Sequence, residues 1–243
     1  MKGVILAGGT GTRLYPLTRL INKHLLPVGK HPMIAYGLDR LRQAGIEDIM
    51  IVMGTHSAGL YTEFLGSGKE YGVKLTYRIQ EKAGGIAEAL NLAKGFVAPG
   101  EKFVVLLGDN LFSDDLKPYV ERYMAQPAGT ARVLLKEVDD ARRYGVPVFD
   151  PANPERIAHI EEKPSQPKTS YCVTGIYMYD DHVFNFIAGI SPSARGELEI
   201  TDVNNHYAAA GSLEYDILQN YWTDAGTFES LQEAAVRMKG QLP

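Results

Sequence analysis

The run Val4-Ile5-Leu6-Ala7 is wholly apolar and empties directly into Gly8-Gly9-Thr10-Gly11-Thr12-Arg13. A short apolar run closed by glycines reads as a strand buried on both faces, with its turn at the rim of the core. Glycines let the backbone approach an anion closely and aim N–H groups at it. An arginine in the same loop adds a permanent positive charge with donors matched to phosphate oxygens. A plain strand-to-helix turn would use the glycines but has no need of Arg13, so the loop suits a triphosphate. It is neither of the two common phosphate motifs. Nothing in the chain fits G-x-x-x-x-G-K-[ST], and a G-x-G-x-x-G pattern begun at Gly9 and Gly11 meets Leu14 at its third glycine.

Beyond this loop, strand-like and helix-like stretches alternate. Spans 3–7, 48–53, 73–80 and 103–107 read as strands, and 33–44, 59–65, 86–96 and 116–125 as helices. Continuous apolar strands separated by helices predict a parallel sheet covered on both faces. Ligands of such sheets bind beyond the carboxyl ends of the strands, which puts the Gly8 turn, Gln80 and Asp109 on one rim. From about residue 130 the rhythm changes to short strands over 131–138, 146–149, 157–162 and 173–179, followed by helices over 202–210 and 227–239. That half reads as a more antiparallel addition to the same sheet, and no linker or repeat divides the chain.

The charge balance narrows the partners. With 25 Lys and Arg against 29 Asp and Glu, the net charge of −4 favours neither nucleic acid nor an anionic membrane, yet permits a local cationic cluster for a small anion. The single cysteine, Cys172, cannot form an internal disulfide or a multi-thiolate metal site. A first strand starting at residue 2, with no apolar run near ~18 residues, predicts a cytoplasmic protein without a membrane span.

Several residues could carry chemistry. Asp109 follows the apolar strand Phe103-Val104-Val105-Leu106-Leu107 through Gly108, so its carboxylate stands at the mouth of a buried strand and could hold a divalent ion. The competing role is a helix cap, which Ser113 or Asp114 could fill instead. Asp224, in Tyr221-Trp222-Thr223-Asp224-Ala225-Gly226, is a second such carboxylate. Lys23 is either a phosphate ligand or a solvated surface lysine, and His24 either a base or a satisfied, partly buried histidine. Gln80 ends a strand, and its amide can both donate and accept, matching the imide edge of thymine or uracil. Glu161-Glu162-Lys163-Pro164 reads as a strand-end ion pair, and the stretch from Arg195 to Asp202 as a charged loop entering a helix at an Asp cap.

Taken in order, LAGGTGTRLYPLT, NKHLLPV, the segment 80–89, LLGDN, RYGV, IEEKP, YCVTGIYMYD, PSARGELEITDVN and WTDAGT span the chain to about residue 234. Together they resemble the sugar-1-phosphate nucleotidylyltransferases, and within them most closely the thymidylyltransferase branch. The resemblance implies a three-layer α/β/α, Rossmann-like fold whose mostly parallel central sheet carries an added antiparallel sugar-binding portion. It implies one domain over 1–243, with a mainly nucleotide-binding lobe at 1–130, a mainly sugar-phosphate-binding lobe at 131–226 and a closing helix in 227–243. The implied reaction is Mg²⁺-dependent, in-line attack of glucose 1-phosphate on the α-phosphate of dTTP, giving dTDP-glucose and pyrophosphate. Leu6, Gly8, Gly9, Gly11 and Thr12 would wrap the nucleotide, Arg13 and Lys23 would grip its phosphates, and Gln80 and Gly85 would read the pyrimidine. Asp109 and Asp224 would hold Mg²⁺. Asn110, Tyr144, Gly145, Glu162 and Val173 would seat the sugar, and Lys163 and Arg195 its phosphate. Partners would be small molecules only, neither nucleic acid nor membrane, with the chain assembled as a homo-oligomer, dimer or tetramer. The sequence departs from the branch at Asn22-Lys23-His24 (commonly Ser-Lys-Gln), at Pro147 and at Glu81-Lys82-Ala83-Gly84 (commonly Pro-Ser-Pro-Asp). It also ends without the helical extension of longer members. The alternative to dTTP and glucose 1-phosphate is UTP or another sugar 1-phosphate, or a non-catalytic sugar-nucleotide-binding relative.

Overall fold

In the computed structural model, which describes residues 1–242, nine strands build the main sheet. They are β1 (Lys2–Ala7), β2 (Asp48–Gly54), β3 (Lys74–Gln80), β4 (Phe103–Leu107), β5 (Ala131–Glu137), β6 (Gly145–Asp150), β7 (Asn153–Glu162), β8 (Tyr171–Tyr179) and β9 (Leu213–Ile217). The first four are parallel in the order β3-β2-β1-β4. Neighbours therefore leave β1 in opposite directions, which is the arrangement that opens a ligand crevice at the carboxyl ends. β8 runs antiparallel to β4 and carries β5 and β6; β7 folds back on β6, and β9 lies parallel to β5.

Side-chain alternation explains why both faces need covering. Along β1, Val4 and Leu6 enter one apolar cluster while Ile5 and Ala7 enter the other, and Phe103/Val105 and Val104/Leu106 divide in the same way along β4. The first face is covered by α3 (Ile86–Asn91), α5 (Val183–Gly189) and α6 (Ile200–Ala209), the second by α1 (Met33–Gln43), α2 (Ala58–Leu65) and α4 (Lys117–Met124). A three-layer α/β/α sandwich follows directly from strands apolar on both sides. A third, smaller cluster joins α7 (Phe228–Arg237) to Val28, Met33 and Leu111. Among the described residues no helix is long and apolar enough to cross a membrane.

The parallel half matches the sequence pattern closely, and the deviations have local causes. The helix expected over 86–96 stops at Asn91; Gly95 adopts φ +86°, and a lone bridge from Lys94 to Val97 takes over. α5 and β9 were not expected, because neither is long enough to establish a period of its own. α6 begins at Ile200 behind Glu199, without a side-chain cap, so Asp202 sits within the first turn rather than at the cap. There it still faces the positive end of the helix dipole.

Ser113 and Asp114 do not cap α4 either; its N-terminal boundary residue is Leu116, with no side-chain cap. They instead stitch two distant loops together. Buried Asp114 accepts hydrogen bonds from the backbone N–H of Gln219 (2.9 Å) and Asn220 (2.9 Å) and from the Tyr119 hydroxyl (2.9 Å). Ser113 exchanges contacts with Tyr221 through its backbone N–H (3.0 Å) and its hydroxyl (3.1 Å). The segment leading to Asp224 is thereby anchored beside the one that follows Asp109. Asp114→Ala leaves three donors without this acceptor and is expected to cost about 3 kcal/mol in urea denaturation; a loss below about 1 kcal/mol would show that the stitch is dispensable.

Candidate active site

Register brings the site together. Leu6 lies opposite both Val52 and Leu107, so β1 and β4 end side by side, and Gly108 N–H donates to the Leu6 carbonyl at 2.9 Å. The Gly8 loop and Asp109 consequently open onto one cavity of about 220 Å³, lined by Leu6, Gly8, Gly9, Lys23, Gln80, Gly85 and Asp109 among others. Gly8 packs directly against Gln80: a Cβ there would lie 2.6 Å from Gln80 Oε1 and would displace the amide. Gly85, at φ +103°, lies so close to the Leu198 carbonyl that a Cβ would come within 2.4 Å of it. Gly11 and Thr12 do not line this cavity. Gly11, at φ +62°, precedes a single helical turn, and its carbonyl accepts from Thr18 Oγ1 at 2.7 Å.

His24 is the satisfied core histidine of the two readings open in the sequence. Its Nδ1 lies 2.6 Å from Asn22 Oδ1, which also accepts from Tyr61 Oη at 2.8 Å. Burial, aided by the neighbouring Lys23 charge, pushes its pKa down to about 3, so the ring is neutral. Lys23 is not a solvated lysine; its ammonium is mostly buried in an ion pair with Asp109.

A second cavity of about 200 Å³ continues from the first through Ile86, Leu107 and Asp109. Arg13, Asn110, Tyr144, Gly145, Glu162, Lys163, Val173, Arg195 and Asp224 all line it. Glu162 is its hub: Lys163 Nζ lies 3.0 Å and Arg195 Nη2 3.5 Å from Oε1, and Thr201 donates to Oε2 at 2.5 Å. Arg195 is also gripped by Glu199 at 2.8 Å. Lys163 is held at φ +47°, a backbone strain of the kind that concentrates at functional sites. Asn110, expected beside sugar hydroxyls, is committed mainly to structure. Its Oδ1 accepts from Gly175 N–H (2.8 Å) and Trp222 Nε1–H (2.8 Å), and its Nδ2 donates to Asp109 (3.1 Å).

The two carboxylates differ electrostatically. Burial alone would raise the Asp109 pKa, but the Lys23 ammonium and the donor groups of Lys23 and Asn110 overcome it and hold the carboxyl at about 2. For Asp224 the balance falls the other way. Burial and the charge of Asp109 push it up, against the opposing pull of Arg143 and Arg13. Tyr144 Oη (3.2 Å) and Arg143 Nη2 (3.3 Å) hold its two oxygens. Two hard oxygen donors that repel one another across one cavity fit a divalent cation such as Mg²⁺, which usually takes one or two carboxylates plus substrate phosphates. Among the described residues a three-residue group of possible metal ligands, Asp180, Asp181 and His182, follows β8 at the opposite rim, and Asp180 is occupied there by Gly129 N–H at 2.6 Å.

This fold and this rim define a class. The chain belongs to the nucleotidyl transferase family, whose model matches residues 2–240. It is 44% identical over 237 residues to the glucose-1-phosphate thymidylyltransferase of Xanthomonas campestris pv. campestris, covering 96% of this chain and 79% of that one. To the enzyme of the same name from Neisseria gonorrhoeae it is 43% identical, covering 97% and 81% of the two chains. A crystal structure from Bacillus anthracis, described as a candidate glucose-1-phosphate thymidylyltransferase in complex with sucrose, superposes with a TM-score of 0.91 at 55% identity, over 97% of this chain and 94% of that one. A UDP-glucose pyrophosphorylase complexed with UDP-glucose shares the fold at a TM-score of 0.86 with 24% identity.

Arg143, Glu88, Glu199 and Trp222 were not singled out from the sequence. All four lie inside quoted motifs, but the roles of Arg143 and Trp222 depend on partners more than 80 residues away. The opposite pKa shifts predict opposite pH behaviour. Asp109 stabilises the fold above its ordinary value of 3.8 and loses that contribution as pH falls toward about 2. Asp224, with a raised pKa, destabilises the metal-free fold once it is ionised. In EDTA at pH 7, Asp109→Asn should therefore lower the melting temperature and Asp224→Asn raise it, and both differences should shrink as the pH is taken toward 3. Shifts of the same sign at pH 7 would contradict this balance.

Proposed function

We propose that the protein is a glucose-1-phosphate thymidylyltransferase, joining dTTP and glucose 1-phosphate to give dTDP-glucose and pyrophosphate. The observation that carries the reading is the meeting of two cavities at Asp109, the first roofed by the glycine loop and the second ringed by Arg13, Lys163 and Arg195. Similarity to curated enzymes of that name, over 96–97% of this chain and 79–81% of theirs, supports it.

In this reading the base stacks between the glycine loop and Gly85 and meets Gln80, while Leu6, Gly8, Gly9, Gly11 and Thr12 shape the loop. The triphosphate lies toward Lys23 and Arg13, and the sugar occupies the second cavity beside Tyr144, Gly145, Glu162 and Val173. Asp109 and Asp224 would hold Mg²⁺, which would neutralise triphosphate charge. A phosphate oxygen of the sugar attacks the α-phosphorus, the bond to the β-phosphate breaks, and pyrophosphate leaves with the electron pair. That nucleophile is already an anion, so no general base is required, consistent with a buried, neutral His24. The obstacle is bringing two polyanions together, and fixed cations where charge develops overcome it. Lys163 and Arg195 serve the attacking side. Both are engaged by Glu162 in the free protein, so the sugar phosphate competes for cations that are already positioned. We further read residues 1–243 as one domain with a nucleotide lobe and a sugar lobe, working in the cytoplasm as a homodimer or tetramer.

Initial rates of pyrophosphate release with glucose 1-phosphate and each of dTTP, UTP, ATP, GTP and CTP test the proposal. dTTP should be fastest, EDTA should abolish turnover and Mg²⁺ restore it. A leading rate with UTP would move the protein to the neighbouring activity, and absence of pyrophosphate release from every pair would overturn catalysis altogether. Arg13→Ala and Asp109→Ala are each expected to lower kcat at least ~100-fold, the scale of losing a preorganised charge stabiliser.

A further inference from the structure

Glu88 does not line the first cavity, but its carboxylate touches Gln80, which does. Glu88 Oε2 accepts from Gln80 Nε2 at 2.7 Å and from Gly84 N–H at 3.0 Å. The second hydrogen of the Gln80 amide goes to the Gly85 carbonyl at 3.2 Å. Both N–H groups of that amide are thereby spent inside the protein. Its carbonyl Oε1 is left toward the loop, 2.6 Å from where a Cβ on Gly8 would sit. Turning the amide over would set its oxygen against the Glu88 carboxylate and the Gly85 carbonyl, acceptor to acceptor, which buried polar groups do not tolerate. The arrangement is interlocked at Gly84 as well, because a Cβ there would lie 2.3 Å from Glu88 Oε2.

We infer that Glu88 is a positioning residue for base selection, locking Gln80 so that it offers only an acceptor to the nucleobase. The inference rests on the reading that Gln80 meets the base. An acceptor in that place selects a pyrimidine whose ring N3 carries a proton, as in thymine and uracil. Cytosine brings an unprotonated N3, whose lone pair would confront the Gln80 oxygen. Specificity of this kind comes from leaving the wrong base with an unsatisfied or repelled polar group. Gln80 alone, free to rotate, could serve either base; Glu88 removes the choice.

Steady-state kinetics with dTTP and dCTP separates the roles. For Glu88→Ala, KM for dTTP should rise about tenfold with kcat within about threefold, and the preference for dTTP over dCTP should fall about tenfold, the size of one directed hydrogen bond. Glu88→Gln should recover most of the preference, because its amide oxygen still accepts from Gln80 and Gly84. Gly84→Ala, which evicts the carboxylate, should imitate Glu88→Ala; melting temperatures show that each variant is folded. An unchanged dTTP preference in Glu88→Ala, while Gln80→Ala abolishes it, overturns the role of Glu88 and leaves Gln80 as the reader. An unchanged preference in Gln80→Ala overturns both. A fall in kcat equal for the two nucleotides would mark Glu88 as merely structural.

Discussion

Asn110 couples the parts of the molecule on which everything else depends. Its one side-chain amide ties the loop after β4 to the backbone of β8 and to Trp222, and at the same time steadies Asp109. Trp222 begins the short ribbon that delivers Asp224, and Tyr144 packs edge-on against its ring at 5.5 Å. Asn110 thus links the segments of two carboxylates that lie 115 positions apart in the chain and line the same cavity. A buried polar network of this kind is valuable only when every member is satisfied, and here Asn110 Oδ1 has two donors.

The second constraint is electrostatic. In the free protein four cations of the rim are paired: Lys23 with Asp109, Lys163 with Glu162, Arg195 with Glu199, and Arg143 with Asp224. Such pairing keeps a cluster of charges from unfolding the rim by self-repulsion and presets side-chain directions before any anion arrives. Asp224 is the exception, since its raised pKa means that burial and the charge of Asp109 outweigh its partners. Ionised Asp224 is therefore incompletely compensated beside Asp109, which is where a divalent cation fits.

Much of this was legible in the residues. The strands 3–7, 48–53 and 103–107 announced themselves because they are apolar on both faces, and their carboxyl ends form the rim onto which the first cavity opens. Gly8, Gln80 and Asp109 were placed on that rim correctly, since a parallel sheet leaves them nowhere else to go. What stayed hidden had no local signature. β9, an edge strand of five residues with two acidic side chains, takes its identity from pairing with β5. Asp114 looked like a helix cap, and only the return of the chain at Gln219 and Asn220 shows what it binds. Gln80 looked able to donate and accept; Glu88 leaves it the acceptor's role alone.

The amino-acid sequence by itself determined the layer architecture, the phosphate-suited loop and the family to which the chain belongs. Those depend on periodicity and on short contiguous patterns, in which each residue's neighbours along the chain are its physical context. Tertiary structure alone decided which carboxylate is depressed and which raised, which cation faces which anion, and which end of an amide faces the cavity. Charge and hydrogen bonding act across a few ångströms of space, and only folding brings residues as distant in sequence as Lys23 and Asp109, or Asn110 and Trp222, within that range.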